Sequence, residues 1–339
     1  DLFYYLEIQA DGQTLTKPYD KTAPIQVFVD DGSILGEPSQ ITMTPDTTQG
    51  NLRFSWITVP EVTASVIQYK KQGESSWKTV RGTSYVDAVT PGWKELATHQ
   101  AVLKDLEPDA MYVYRVGDGG QFMSEEHTFK APTSPDADEF SFIFVSDPQS
   151  VSTDDYMSFK KSLDYATTLM TPEFIMSGGD TTQDGYKATE WEACFEVMGD
   201  YYAAIPTITV PGNHEMKGDW GFVSFAQRFN MPDGDSGTEF DNTIGCIEYG
   251  DACIVVINTE VTPPEEKADI IAKQLQWAKE CYESSDKKWR VMLTHAGPYT
   301  SNHPASEVID YFINDSEWSI DALGVDLFLN GHDHIYIRA

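Results

Sequence analysis

Between residues 40 and 130, apolar and polar residues alternate in short runs that turn residues separate. Alternation with a period of two is typical of strands that bury one face. The clearest runs are residues 52–57, 65–69, 100–103 and 111–116. Several short strands at regular intervals predict an all-β sandwich over residues 38–131.

After residue 139 the pattern changes to continuous apolar runs separated by longer amphipathic stretches. Such runs are typical of buried strands, and their alternation with helices predicts an α/β domain over residues 140–339. We expect strands at residues 140–145, 174–176, 205–210, 290–293 and 325–329, helices at 154–170, 187–198 and 265–282, and a hairpin at 244–258.

Two segments belong to neither pattern. Residues 132–139 are polar and contain two prolines, so we interpret them as a linker between the domains. Residues 1–37 contain two short stretches around Gly12 and a turn at Asp30-Asp31-Gly32. We expect two short strands there and treat the segment as an N-terminal extension whose role stays open.

The charge of the chain narrows the classes of partner. It has 23 Lys and Arg against 54 Asp and Glu, a formal net charge of −31. Such a charge repels nucleic acids and anionic membrane surfaces, so neither is expected as a bulk partner. A phosphate substrate would also be repelled unless bound cations reverse the local field. No apolar run reaches the roughly 20 residues that a transmembrane helix needs.

Residues of the types that bind metals form five clusters, each directly after a predicted strand. The carboxyl ends of strands are where α/β folds gather their active sites. Four of the seven histidines of the chain lie in these clusters. The candidate residues are Asp147, Gln149, Asp180, Asn213, His214, His295, His332 and His334.

The chemistry of the clusters favours a metal centre. Carboxylate, amide and imidazole groups together suit manganese, iron or zinc. A glycine precedes Asp180, Asn213 and His332, and its missing side chain lets the backbone turn sharply close to an ion. Each residue alone has an ordinary structural alternative, such as a helix cap, a turn former or a core histidine. Five such coincidences in one order are implausible.

In order and type the clusters resemble the signature of the calcineurin-like metallophosphoesterases, D-x-H, GD, GNH(D/E), H and GHxH. The upstream sandwich narrows the resemblance to purple acid phosphatases, which carry a fibronectin-like domain at that place. Residues 106–112, LEPDAMY, resemble the Leu-x-Pro-x-x-x-Tyr corner of fibronectin type III domains. The resemblance implies two domains, an N-terminal sandwich and a C-terminal metallophosphoesterase fold of β-sheets flanked by helices.

The resemblance also implies a hydrolase that acts on phosphate esters, with phosphomonoesters favoured. Asp180 would bridge two divalent metal ions, manganese, iron or zinc, and a hydroxide held between the ions would attack phosphorus. His214 would stand beside the leaving group as a proton donor or transition-state stabiliser. His303 would face the substrate. The other implied ligands are Asp147 and His334, with Gln149 as a weaker candidate, at the first ion, and Asn213, His295 and His332 at the second.

Three features depart from the family pattern. Gln149 stands where many members have a histidine, and a neutral amide is a poorer donor for late transition metals. Gln183 replaces the tyrosine that binds iron in purple acid phosphatases, so we expect no purple colour. Only residues 335–339 follow the last cluster, whereas the family normally continues with further strands. We therefore expect that the domain lacks its last strands.

Other functions remain open. The same two-metal centre serves phosphodiesters and nucleotides. A surface-binding module with a degenerate metal site is a further alternative, in which Trp56, Trp77 and Trp93 of the sandwich would contact a glycan. Core packing of these tryptophans is the simpler interpretation. The acidic surface and the layout favour an exported bacterial protein, extracellular or at the cell surface, whose signal peptide is outside this sequence.

Overall fold

The fold was obtained as a computed structural model. The residues that it describes are 5–10, 13–18, 36–86, 95–137, 139–217, 221–232, 234–261, 266–299 and 310–338.

The first half of the described chain contains a sandwich of two four-stranded antiparallel sheets. One sheet has the order β3-β4-β8-β7 and the other β10-β9-β5-β6. The predicted runs lie in β4, β5, β8 and β9, which confirms the alternation. The strand bounds are β3 Ser39–Pro45, β4 Leu52–Thr58, β5 Val66–Lys71, β6 Lys78–Arg81, β7 Thr83–Val86, β8 Ala97–Leu103, β9 Met111–Gly117 and β10 His127–Lys130.

Aromatic side chains fill the space between these two sheets. Phe54 and Tyr114 contact each other with ring centroids 5.1 Å apart. The backbone N–H of Glu107 donates to the Tyr112 hydroxyl at 3.1 Å, the bond that the LEPDAMY motif predicts. Trp56 is fully buried in this core, so it cannot contact a glycan. Trp93 lies outside the described residues.

The second half of the described chain contains two further sheets. In the first, β11, β12 and β13 are all parallel. In the second, β15, β16 and β17 are parallel and β14 forms the antiparallel hairpin partner of β15. The bounds are β11 Phe142–Val145, β12 Phe174–Ser177, β13 Thr207–Thr209, β14 Gly245–Tyr249, β15 Ala252–Val256, β16 Trp289–Thr294 and β17 Leu327–Asn330.

Helices cover the outer faces of these two sheets. Inner-face residues such as Phe174 and Ile254 share one core, so the sheets pack face to face. Helices α1 and α2 pack against the first sheet and α4 and α5 against the second. The predicted helix near residue 187 continues to Ala204, and α3 and α5 were not predicted. The bounds are α1 Thr153–Leu169, α2 Ala188–Ala204, α3 Gly221–Arg228, α4 Lys267–Ser284 and α5 Ile320–Leu323.

The sandwich and the α/β half are joined by buried hydrogen bonds. The Tyr114 hydroxyl donates to the carbonyl of Ala203 at the end of α2, at 2.7 Å. The Ser55 hydroxyl donates to the carbonyl of Gln227 in α3, also at 2.7 Å. Because these polar groups are buried, separating the halves would cost the bonds and expose apolar surface around them.

Within residues 5–18 the structure contains an antiparallel hairpin of β1 (Tyr5–Ala10) and β2 (Gln13–Pro18). This confirms the two predicted strands, while the predicted turn at residues 30–32 lies outside the described residues. None of the helices in the described ranges combines the length and apolar character that a membrane crossing requires.

We predict that one buried histidine makes the sandwich sensitive to acid. His99 lies between the hydroxyls of Thr58 and Ser65, at 2.7 and 2.8 Å from its ring nitrogens. Burial lowers the pKa of His99 to about 4 from the ordinary 6.5. The unfolded chain therefore binds a proton below about pH 6.5 that the folded chain binds only near pH 4, so stability falls as the pH falls through this window.

The test is guanidinium unfolding of the parent and of His99→Gln at pH 7 and pH 4. Between pH 7 and pH 4 the free energy of unfolding of the parent should fall by about 3 kcal/mol more than that of the variant. This value follows because each unit of pKa shift corresponds to roughly 1.4 kcal/mol. Equal losses in the two proteins would show that His99 does not cause the acid sensitivity.

Candidate metal centre

The two sheets bring all five clusters to one place, because the loops that carry them follow the carboxyl ends of neighbouring parallel strands. The loop after β11 carries Asp147, and the loop after β12 carries Asp180. Asn213 follows β13, and His295 follows β16. The loop after β17 carries the last two histidines, at positions 332 and 334.

Four of these residues hold a backbone conformation that side chains rarely adopt. The φ angles are 57° at Asp147, 52° at Asp180, 77° at His332 and 54° at His334. A positive φ costs a residue with a side chain on the order of 1 kcal/mol or more and persists only where surrounding contacts impose it. Such residues concentrate at functional sites.

Glycines make room for the carboxylates. A Cβ at Gly212 would lie 2.0 Å from Oδ1 of Asp180, and a Cβ at Gly331 would lie 2.5 Å from Oδ2 of Asp147. Both carboxylates also accept backbone N–H groups: Asp180 from His214 at 2.9 Å, and Asp147 from His332 at 2.9 and 3.0 Å. The carboxylates are therefore fixed before any ligand binds.

One group of donor atoms contains Asp180, His295 and His332, whose ligand atoms lie within 4.8 Å of one another. Asn213 joins them, because its Oδ1 is 3.0 Å from Nε2 of His295 and 3.0 Å from Nδ1 of His332. The two ring nitrogens are themselves 3.2 Å apart. The structure thus brings together the residues that the sequence analysis assigned to the second ion.

The protons of His295 show why this group favours a cation. Its Nδ1 is 2.7 Å from the carbonyl of Gly178, an acceptor, so Nδ1 carries the proton in the neutral ring. Nε2 then directs a lone pair at oxygen atoms of Asn213 and Asp180. Burial lowers the pKa of His295, but Asp180 outweighs burial and raises it to about 9. A proton thus takes the place that a metal ion would fill.

The second group contains Asp147, Asp180 and His334. Nε2 of His334 is 3.6 Å from Oδ1 of Asp147, and more than half of the His334 side chain is exposed. The Gln149 amide nitrogen lies 3.3 Å from Asp180 and 3.0 Å from His334, while its Oε1 is buried with no hydrogen-bond partner. Rotation of this amide by 180° would turn that oxygen towards the carboxylates.

The donor set therefore fits two metal ions that share Asp180. Carboxylate, imidazole and amide groups converge from two sides on the buried carboxylate of Asp180. The glycines of these loops leave no room for further side chains. Manganese, iron and zinc all accept such donors.

His214 lies beside this centre and outside both donor groups. Its Nε2 is 3.8 Å from Oδ2 of Asp180, farther than the nitrogen of His295 at 3.4 Å. Its Nδ1 is turned away, 2.6 Å from the carbonyl of Gln183. The role of His214 therefore stays a prediction. His303 lies outside the described residues, so its role stays a prediction.

Sequence reasoning assigned no role to Glu215, although the residue stands in the third cluster. Its side chain is fully buried and accepts the N–H of Thr182 at 2.8 Å and the N–H of Gly212 at 2.9 Å. It therefore ties the loop that carries Asp180 to the loop that carries Asn213. Burial raises the pKa of Glu215 to about 7. The sequence signal that could have identified Glu215 is its position, two residues after the expected ligand Asn213.

Two family models match the chain. The model described as "Calcineurin-like phosphoesterase" matches residues 140–336, and the model described as "Purple acid Phosphatase, N-terminal domain" matches residues 38–131. Together they cover most of the chain outside its first 37 residues.

Similar proteins and a similar structure are found in plants and animals. Purple acid phosphatase 18 of Arabidopsis thaliana is 25% identical over 85% of this chain and 63% of its own length. Acid phosphatase type 7 of Danio rerio is 25% identical over 89% of the chain and 71% of its own length. The structure of purple acid phosphatase PPD1 from yellow lupin superposes with a TM-score of 0.65 at 15% identity, covering 88% of this chain and 58% of that one. The chain thus spans less than two thirds of the Arabidopsis and lupin proteins.

We predict that metal retention depends on the space at Gly212. In Gly212→Ala the new Cβ would overlap the Asp180 carboxylate, so the carboxylate must move and the bound metal content should fall by at least half. Gly199→Ala is the matched control, because Gly199 lies in α2 with nothing within 4 Å of the added Cβ. It should keep the metal and gain roughly 0.5–1 kcal/mol, as expected for Gly→Ala in a helix.

Metal content by mass spectrometry and melting temperature would be measured for both variants. Equal metal content in the parent and in Gly212→Ala would contradict the argument from the space at this glycine.

Proposed function

The chain belongs to the calcineurin-like phosphoesterase family, and we propose that it hydrolyses phosphate esters, phosphomonoesters in preference, at a centre of two divalent metal ions. The observation that carries this proposal is the convergence of two donor groups on the shared carboxylate of Asp180. The acid phosphatase names of its relatives support the choice of monoesters.

The proposed ligand sets follow from the two donor groups. When bound, the ions would polarise the phosphoryl oxygens and lower the pKa of a coordinated water. The first ion would be held by Asp147, Asp180 and His334, with the Gln149 oxygen after rotation of its amide; the second would be held by Asp180, Asn213, His295 and His332.

The remaining residues of the site would contact the substrate or hold the loops in position. Nε2 of His214 faces the centre and is the group placed to donate a proton or a stabilising hydrogen bond to the leaving oxygen. Glu215 keeps the loops of Asp180 and Asn213 at a fixed separation. Residues 140–339 contain 33 acidic and 12 basic side chains, so an anionic ester enters against a negative field unless the ions reverse it locally.

The wider organisation is part of the same proposal. We divide the chain into an extension (residues 1–37), a fibronectin type III-like sandwich (38–131), a linker (132–139) and a phosphoesterase domain (140–339). We place the protein outside a bacterial cell or at its surface. Of the three sandwich tryptophans considered, Trp77 is the one that a surface glycan would contact; the cationic groups of Lys70 and Arg115 lie over its ring at 4.4 and 4.9 Å from the centroid.

We predict that hydrolysis of p-nitrophenyl phosphate requires added manganese, zinc or iron and falls at least a hundredfold in Asp180→Asn, because the shared ligand loses its charge. Asp164→Asn is the control: this exposed residue on α1 pairs with Lys160 at 2.8 Å and lies outside both donor groups. Its activity should equal that of the parent.

The same assay with bis-p-nitrophenyl phosphate distinguishes monoesters from diesters. Faster hydrolysis of the diester would replace the monoester proposal with a phosphodiesterase. A folded, metal-loaded protein that hydrolyses neither compound would refute the enzymatic proposal and favour the binding module.

A second prediction concerns the first ion. Gln149→His restores the imidazole that many family members carry, and imidazole is a stronger donor than an amide. Titration calorimetry with zinc should show the weaker of two binding steps strengthened about tenfold. Gln276→His is a control, because it introduces the same side chain at an exposed position of α4 that belongs to neither donor group. Identical zinc affinity in the parent and Gln149→His would show that position 149 is not a ligand position.

A further inference from the structure

Lys217 makes a set of contacts that the proposed reaction does not use. Its ammonium nitrogen is 2.7 Å from Nδ1 of His214, 2.9 Å from the carbonyl of Gln183 and 3.3 Å from Oδ1 of Asp184. An ammonium has three N–H donors and no acceptor. In a hydrogen bond with Lys217, each of the three neighbours can therefore only accept.

This requirement fixes the proton of His214. A neutral imidazole carries one N–H, on either nitrogen. Since Nδ1 must offer its lone pair to Lys217, the hydrogen is on Nε2, the nitrogen that lies 3.8 Å from Asp180 and faces the centre. Nε2 would then be a donor towards the leaving oxygen.

The other neighbour of Nδ1 favours the opposite tautomer. The carbonyl oxygen of Gln183 is 2.6 Å from Nδ1, and an oxygen at that distance favours a hydrogen on Nδ1. In that tautomer Nε2 has only a lone pair to direct at the centre and no hydrogen bond to donate. Lys217 decides between these arrangements because it also donates to the same Gln183 carbonyl, at 2.9 Å, and so satisfies it.

The ammonium is itself held in place. Asp184 accepts from Lys217 and from Lys187, and Lys187 also reaches Glu190 at 3.2 Å. Burial acts to raise the pKa of Asp184, but its bonds to Lys187 and Lys217 outweigh burial and lower it, so Asp184 stays a carboxylate. A charged partner at a fixed position keeps the Lys217 side chain against His214.

We propose that Lys217 is a positioning residue that holds His214 in the tautomer with its hydrogen on Nε2, aimed at the leaving group of the substrate. The inference rests on the proposed phosphoesterase function for its catalytic consequence. The tautomer itself is a property of the protein alone and is measured without substrate.

The direct test is ¹⁵N NMR of histidine-labelled full-length protein at pH 8, above the ordinary histidine pKa of about 6.5. His214→Gln identifies the signal, and spectra are recorded after chelation and with added zinc. The parent should show His214 with its hydrogen on Nε2, and Lys217→Met should show it on Nδ1. Lys187→Met, which removes the other lysine on Asp184, should leave the parent tautomer unchanged. The same tautomer in the parent and Lys217→Met would overturn the proposal.

Leaving-group dependence tests the consequence for catalysis. An alkyl alcohol is a poor leaving group whose oxygen develops more negative charge than that of p-nitrophenolate, so its departure depends more on a hydrogen bond donated by Nε2 of His214. In Lys217→Met we expect kcat for an alkyl phosphate to fall at least thirtyfold and kcat for p-nitrophenyl phosphate to fall less than threefold, with Lys217→Arg retaining most of both. Equal losses on the two substrates would mean that Lys217 only braces the loop, and a rise in KM alone would mean that it binds the phosphate.

The two experiments separate failure of this inference from failure of the proposed function. If no phosphate ester is hydrolysed by the parent, the proposed function fails, and the NMR result still decides whether Lys217 sets the tautomer. If the parent hydrolyses both substrates and the tautomer does not respond to Lys217→Met, only the inference fails.

Discussion

The convergence of lone pairs on one buried point is the constraint on which the rest of the structure depends. Oxygen and nitrogen atoms from five loops meet around Asp180, where hydrogen bonds alone leave acceptors facing acceptors. In water such groups would separate, and in a buried place each unsatisfied acceptor costs about 1–3 kcal/mol. Two sheets packed face to face supply the rigidity that keeps these groups together, and a cation supplies the missing charge.

The local backbone follows from this constraint. A loop that must present a carboxylate and still pass close to the next loop has no room for a Cβ, which is why Gly212 and Gly331 border Asp180 and Asp147. It also has few conformations to choose from, which is why four of the candidate ligands have positive φ. Glu215 accepts backbone N–H groups from two of these loops, so its buried side chain helps to hold the loops together.

The features of the site that could be predicted are those that depend on residues close together in the sequence. Each candidate ligand cluster directly follows an apolar run, so strand position and residue type together were enough to predict that Asp147, Asp180, Asn213 and their partners meet at one place. The alternation of the sandwich strands and the Tyr112 corner were predictable for the same reason. Helix α3 was not, because its role is to pack on the sandwich, and nothing in residues 221–228 indicates that surface. Lys217 was missed because its partner Gln183 is distant in sequence and offers only a backbone carbonyl.

Charge connects the site with the whole molecule. The sandwich, residues 38–131, contains 11 acidic and 9 basic residues, so nearly all of the net charge of −31 belongs to the rest of the chain, most of it to residues 140–339. A negative domain raises the affinity of its centre for cations and repels anions from every other surface. Ion binding therefore does two things at once: it relieves the crowded lone pairs and supplies the positive charge that attracts a phosphate to this site. Lys217 fits this arrangement because Asp184 neutralises it, which leaves it to orient a proton without competing with the ions for the substrate.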